Sequence, residues 1–348
     1  MYASEHPDVD ALAGRLNDLM IMKPKPSPYP LIRMGGDRDG AYLIPNDLAD
    51  IKACFSPGVN NTKNFEDELT TSHGITCHLC DYSSDIKSLE TPLIEPMQTF
   101  TKKWLDIDDR EDSITLDEWV EGQCPDHKDD LLLQMDIEGA EYRNLLACKQ
   151  STLSRFRIIV IELHGLDSAN NPVEFEHELG PLLRRLDNTH ICVHAHPNNC
   201  CGEVTIEGSD LVIPRVIELT FLRRDRLIQH QNGSTHQPLL PHPLDLDCNV
   251  SERPPLLLEG AWVDERSFAS ESPAGISTWK KVGLLSKRLD HACLQLQQLK
   301  EQNRQLEHTQ EKAKQRIDYL EKRLGELDRP IKIYIGLKRL LKPGKRDG

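Results

Sequence analysis

Residues 131–146 read LLLQMDIEGAEYRNLL. Leu131 to Met135 is nearly unbroken apolar sequence, as a strand buried on both faces of a parallel sheet requires. The run stops at Asp136, and Glu138 and Glu141 follow at once. Gly139 supplies a turn, and the residues after it carry a helical pattern. A buried strand, an acidic turn and a helix form the repeating unit of an α/β fold. In such sheets ligands lie beyond the carboxyl ends of the strands. Asp136 therefore stands where a site is expected. Glu141 falls in the first turn of the helix, where exposed N–H groups favour a carboxylate.

The same alternation runs from residue 31 to about 225. LIRMGGDRDGAYLIP reads as a hairpin turning at Gly35-Gly36. IKACFSPGV is a short strand, and KNFEDELTTSHG a helix stopped by Gly74. ITCHLCD is a strand ending in Asp81. DSITLDEWV is a strand entering a helix at Leu116-Asp117. GAEYRNLLACKQSTLSRF reads as one helix. RIIVIELHG is a second fully buried strand, followed by the helix PVEFEHELGPLLRRL. THICVHAHPNN and PRVIELTFLRR have no helix between them and form an antiparallel pair. The pattern predicts a Rossmann-like, doubly wound, mostly parallel sheet with an antiparallel last strand.

The flanks differ in character. Residues 1–30 read as an N-terminal extension ending in the Pro-spaced connector KPKPSPYP. Residues 263–282 read as a linker within a stretch rich in Pro, His and Ser. Residues 283–328 follow a heptad, with Leu289, Leu296, Asn303, Gln310, Ile317 and Leu324 at a. Leu285, Ala292, Leu299, Leu306, Ala313, Leu320 and Leu327 take d. This predicts a parallel coiled-coil homodimer, because an Asn at a sets register and two strands. The pairs Arg316–Glu321′ and Arg323–Asp328′ are attractive in that register, and Pro330 is expected to end the helix. Residues 329–348 form a basic tail suited to an anionic membrane surface or to a glycan-assembly protein.

Composition narrows the function classes. A net charge of −14 argues against nucleic-acid binding, which needs a basic surface. No apolar run approaches the ~20 residues of a membrane span, and the first residues lack a secretory pattern. Cytoplasmic residence is expected, with the tail at the inner face of the membrane as its one membrane contact. The ten cysteines fit a reducing compartment, since Cys54 and Cys192 sit in apolar strand-like runs. Cys77-His78-Leu79-Cys80 has zinc-like spacing, but no second pair completes four ligands, so no metal is assigned.

Lining up the strand ends locates the chemistry. They bring together the loop Ser56-Pro57-Gly58-Val59-Asn60, then Asp81, Asp136, Glu138, Glu162 and His164, and finally His196 and Asn198. A Gly-containing turn followed by an acid on the next strand suits a nucleoside, whose ribose diol can donate to the carboxylate. GxGxxG and a phosphate-binding Gly-Lys-Ser/Thr are both missing. A cofactor without pyrophosphate is implied, and S-adenosylmethionine fits. Glu66, in the first helix, reaches toward the same place. Methyl transfer to a hydroxyl also needs proton removal, for which a His beside carboxylates is suited, so His164 is the candidate base. Asp136, Glu162 and His164 together also suit a divalent ion holding a sugar diol.

The block QMDIEGAEYRNLL, preceded by ITLDEWV and followed by IVIELHG, resembles the FkbM-type family of S-adenosylmethionine-dependent methyltransferases. RMGGDRDGAYLIP, HPNNCCG and LPHPLDLDCNV resemble a bacterial branch of it. The resemblance implies a methyltransferase domain over 31–262 with its core at 31–225. It implies that Gly58 and Asn60 form the cofactor loop and that Asp81 binds the ribose. Asp112 and Ser113 would flank the adenine, and Asp136 would face the transferred methyl group. Thr62 stands where the family has a second glycine, and Ser56 where it often has an acid. The implied acceptor is a sugar hydroxyl on a glycan or glycosylated metabolite, met by Glu138, His196 and Asn198. The competing reading is a degenerate, non-catalytic module that serves as a coiled-coil assembly or membrane-docking scaffold.

Overall fold

The computed structural model describes residues 7–228, 235–263 and 273–340. The strands in chain order are β1 (Leu31–Met34), β2 (Tyr42–Pro45), β3 (Ile51–Pro57), β4 (Thr76–Cys80), β5 (Gln98–Thr101) and β6 (Trp104–Leu105). They continue with β7 (Ser113–Ile114), β8 (Asp130–Met135), β9 (Phe156–Leu163), β10 (His190–Thr205) and β11 (Val212–Arg223). The main sheet has the order β10-β11-β9-β8-β3-β4-β5. All neighbours from β9 to β5 are parallel, and β11 is antiparallel to both β9 and β10. The chain winds from β3 out to β5, then returns to β8 and winds the other way. Strand order thus reverses between β3 and β8, and a crevice opens there beyond the strand ends.

Period-2 alternation divides the apolar strand residues between two cores. Leu131, Leu133, Met135, Ile159 and Ile161 pack on one face of the sheet. Leu132, Ile158 and Val160 pack on the other. This is why β8 and β9 read as continuous apolar runs. Cys77 and Cys80 go to opposite cores by the same alternation and cannot share an ion.

Local sequence missed three features. β5 lies in a Pro-containing stretch with no strong alternation, yet it forms the third strand outward from the centre. Ser113–Ile114 pairs with Trp104–Leu105 in a separate ribbon and not with the main sheet. The helix expected after Gly139 is two helices, Glu141–Ala147 and Gln150–Leu153. Asp117, from another helix, accepts the Lys149 N–H at 3.1 Å and the Thr152 hydroxyl, so the break is capped from a distance.

The N-terminal segment is integral to the core. Leu19 and Met22 are fully buried, and the Lys25 N–H donates to the Cys192 carbonyl at 2.8 Å. It therefore covers the outer edge of the sheet at β10. Trp262 is buried too, its indole N–H bonded to the Val212 carbonyl at 3.0 Å.

The chain divides into two compact units, Met1–Arg288 and Leu289–Gly348. The helix Pro273–Leu340 supplies the described part of the second. Leu289, Leu296, Leu299, Leu306, Ile317 and Leu320 are exposed along it. The helix does not end at Pro330, since a proline forfeits one rung of the ladder and can be passed. Most of the expected linker, and residues 341–348 of the basic tail, lie outside the described residues. Among the described residues, no helix is long and apolar enough to cross a membrane.

Candidate active site

A cleft of about 880 Å³ opens at the strand-order reversal. Gly58, Asn60 and Thr62 line it from the loop after β3, Asp81 from the end of β4, and Asp136 to Ala140 from the turn after β8. Asp39, Gly40 and Tyr42 come from the β1–β2 hairpin. Trp104, Leu105 and Asp106 come from the small ribbon, and Arg143 from the helix after β8.

The first loop is held by its neighbours. Gly58 has φ +84°, and a Cβ there would lie 1.6 Å from the carbonyl oxygen of Asp136. The missing side chain therefore makes room for the turn after β8, in addition to any ligand. Asn60 adopts φ 51°, a conformation asparagine tolerates, and its N–H donates to Asp81 Oδ2 at 2.7 Å. Asp81 Oδ1 accepts from the Ser83 N–H at 2.7 Å, the Ser83 hydroxyl at 2.6 Å and the Ser84 N–H at 3.1 Å. The carboxylate thus fixes two loops as well as facing the cleft.

Glu66 reaches the cleft floor. It is buried against Ser56, whose hydroxyl also lies 2.5 Å from Gln134 Oε1. The Gln134 amide in turn donates to the Tyr42 hydroxyl at 3.3 Å. Ser56 has one proton to give and two acceptors to serve, which works when Glu66 itself is protonated. Burial, the largest cause, does push the Glu66 carboxyl up to about 7, against the opposing bond from Ser56.

The ends of β8 and β9 meet around His164. Its Nε2 lies 3.4 Å from Glu138 Oε2, 3.9 Å from Asp136 Oδ1 and 3.9 Å from Glu162 Oε1. Its Nδ1 lies 3.3 Å from Glu141 Oε1, which also accepts the Ile137 N–H at 2.9 Å. Glu141 therefore serves both as the predicted helix-start carboxylate and as a support for the imidazole. Burial and then Glu162 raise the Asp136 carboxyl well above its ordinary range. Burial alone would lower His164, but Glu141, Glu162 and Asp136 outweigh it and raise it. The imidazole and the carboxylates at the ends of β8 and β9 therefore share their protons as one cluster. His164 does not line the cleft. It stands behind Asp136 and Glu138, which do.

Besides His164, four predicted residues are not brought to the cleft. Asp112 is exposed and uses its carbonyl to accept the Trp104 N–H at 2.8 Å. Ser113 is buried, its hydroxyl donating to the Asp108 carbonyl at 2.7 Å. They sit on the far strand of the ribbon, and its near strand presents Trp104 and Asp106 instead. His196 is committed to Asn249 Oδ1 at 3.2 Å and Asp245 Oδ2 at 3.8 Å. Asn198 donates to Glu162 Oε1 at 2.7 Å, so it positions a carboxylate and does not meet the cleft. Sequence reasoning missed Tyr42, Trp104, Asp106, Gln134 and Arg143. Only Gln134, a lone polar residue inside an apolar strand, carried a local signal.

Residues 48–189 match the family model described as Methyltransferase FkbM domain. No curated protein matches the chain. The matched span begins just before β3 and reaches the start of β10, so it holds every cleft residue except those of the β1–β2 hairpin.

Proposed function

We propose, from the match of residues 48–189 to the model described as Methyltransferase FkbM domain, that this chain moves a methyl group from S-adenosylmethionine to a hydroxyl, the acceptor being a sugar of a glycan or glycosylated metabolite. One observation carries the reading. A single cleft at the strand-order reversal joins the Gly58–Asn60 loop and Asp81 to the carboxylate–imidazole cluster at the ends of β8 and β9.

The cofactor ribose donates to Asp81, and the exposed ring of Trp104 flanks the adenine in place of Asp112 and Ser113. The methionine end lies along Gly58 to Thr62, close to Asp136. The acceptor hydroxyl approaches in line with the carbon–sulfur bond. The carbon–oxygen bond forms as the carbon–sulfur bond breaks, and neutral S-adenosylhomocysteine leaves. The hydroxyl proton passes to the cluster of Asp136 and His164. Calorimetric titration with S-adenosylmethionine, followed by transfer of labelled methyl to a panel of oligosaccharides, tests the reading. Absence of heat at millimolar cofactor would refute it.

The exposed apolar seam of the long helix supports a second proposal, a parallel homodimer through residues 285–327. A lone chain leaves Leu296, Leu299 and Leu306 in water, and a heptad partner would bury them.

A further inference from the structure

We propose that Asp136, Glu138 and His164 bind one divalent transition-metal cation, of the Mn²⁺ class, which orients the acceptor hydroxyl beside the transferred methyl group. The ligand atoms of these three residues all lie within 4.8 Å of one another. Around an ion with bonds of about 2.1 Å, two ligands stand roughly 3.0 Å apart when adjacent and about 4.2 Å when opposite. His164 Nε2 is 3.4 Å from Glu138 Oε2 and 3.9 Å from Asp136 Oδ1, inside that range.

The surroundings of the triad point to a cation independently of its spacing. Glu141 is fully buried and stands on the other ring nitrogen of His164, at 3.3 Å. Metal-ligating histidines are oriented by such a carboxylate, which leaves Nε2 to face the ion. Glu141 Oε2 and Asp136 Oδ1 are both buried without a hydrogen-bond donor. Glu162, held by Asn198, adds a fourth carboxylate 3.9 Å from Nε2. Among the described residues, no lysine or arginine pairs with any of the four. Burying this many carboxyl groups around one imidazole without a cationic partner is costly. Two carboxylates and one imidazole favour Mn²⁺ over the all-oxygen preference of Mg²⁺.

Asp136 and Glu138 line the cleft while His164 backs them, so the open coordination positions face the acceptor side. There the ion would acidify the hydroxyl as a Lewis acid. That last role rests on the methyltransferase reading, but binding of the ion does not.

The test is titration of chelator-treated, full-length protein with MnCl₂, followed by the electron paramagnetic resonance signal of free Mn²⁺. Saturable uptake of one ion per chain is expected. Asp136→Asn and His164→Ala should each weaken it by about tenfold or more, and Glu141→Gln by roughly 10- to 100-fold. Asp136→Asn is isosteric and partly exposed, so it keeps the test alive if Glu141→Gln fails to fold. No saturable uptake of Mn²⁺, Zn²⁺ or Mg²⁺ at millimolar concentration overturns the proposal. So does uptake unchanged in both Asp136→Asn and His164→Ala. A parallel cofactor titration separates the two readings. Cofactor heat without Mn²⁺ uptake removes the ion alone, whereas Mn²⁺ uptake without cofactor heat supports the ion and removes methyl transfer.

Discussion

The carbonyl oxygen of Asp136 occupies the space that a side chain on Gly58 would fill, 1.6 Å from the ideal Cβ position. The loop after β3 and the acidic turn after β8 are therefore one packed unit before any ligand arrives.

Gly58→Ala should accordingly destabilise the protein without ligand, by roughly 2–4 kcal/mol, from overpacking and the positive φ together. Urea unfolding of both proteins measures it. Unchanged stability with lost cofactor binding would mean that Gly58 matters for ligand approach alone.

Asp81→Ala removes the acceptor of the Asn60, Ser83 and Ser84 N–H groups. A loss of roughly 2 kcal/mol in stability is expected, along with loss of the cofactor heat. Retention of that heat would detach Asp81 from the ribose.

Glu66 gives a pH test. Its folded carboxyl is raised from 4.5 to about 7, so the fold holds this proton more tightly than the unfolded chain does. Its contribution is complete below the unfolded value and is lost as pH rises through about 7. Glu66→Gln keeps the neutral form at every pH. Its stability relative to wild type should rise by roughly 2–3 kcal/mol between pH 4.5 and 8. A difference that stays flat across that range rules the assignment out.

His190 acts in the opposite direction. It is fully buried, with Nε2 2.8 Å from the Phe156 carbonyl, and burial lowers it to about 4. The unfolded imidazole takes a proton near 6.5. Stability should therefore fall as pH drops from about 6.5 through 4, by up to about 3 kcal/mol. His190→Gln should reduce that slope in acid unfolding experiments.

The first unit extends to Arg288, because Leu284 is buried and Lys287 pairs with Asp247. A chain ended after Arg288 should stay folded and sediment as a monomer, while the full chain sediments as a dimer. A dimer from the shortened chain would place the interface elsewhere.

The sequence by itself determined the periodicity and therefore the fold. Leu131–Met135 and Arg157–Leu163 read as strands buried on both faces, and both are. Asp81, Asp136 and His164 were legible because strand ends are visible in the chain as places where apolar runs stop. Tertiary structure alone decided which groups meet. Trp104 lines the cleft and Asp112 and Ser113 do not, because the ribbon turns its near strand to the cleft, and pairing partners leave no mark on local pattern. His196 was claimed by Asp245 and Asn249, more than forty residues away in sequence. Glu141 looked like a helix-start carboxylate and is one, but only packing set it against His164. Charge state follows the same division. Residue type sets the ordinary proton affinity, while burial and neighbours, which come from the fold, move Asp136 and His164 away from it.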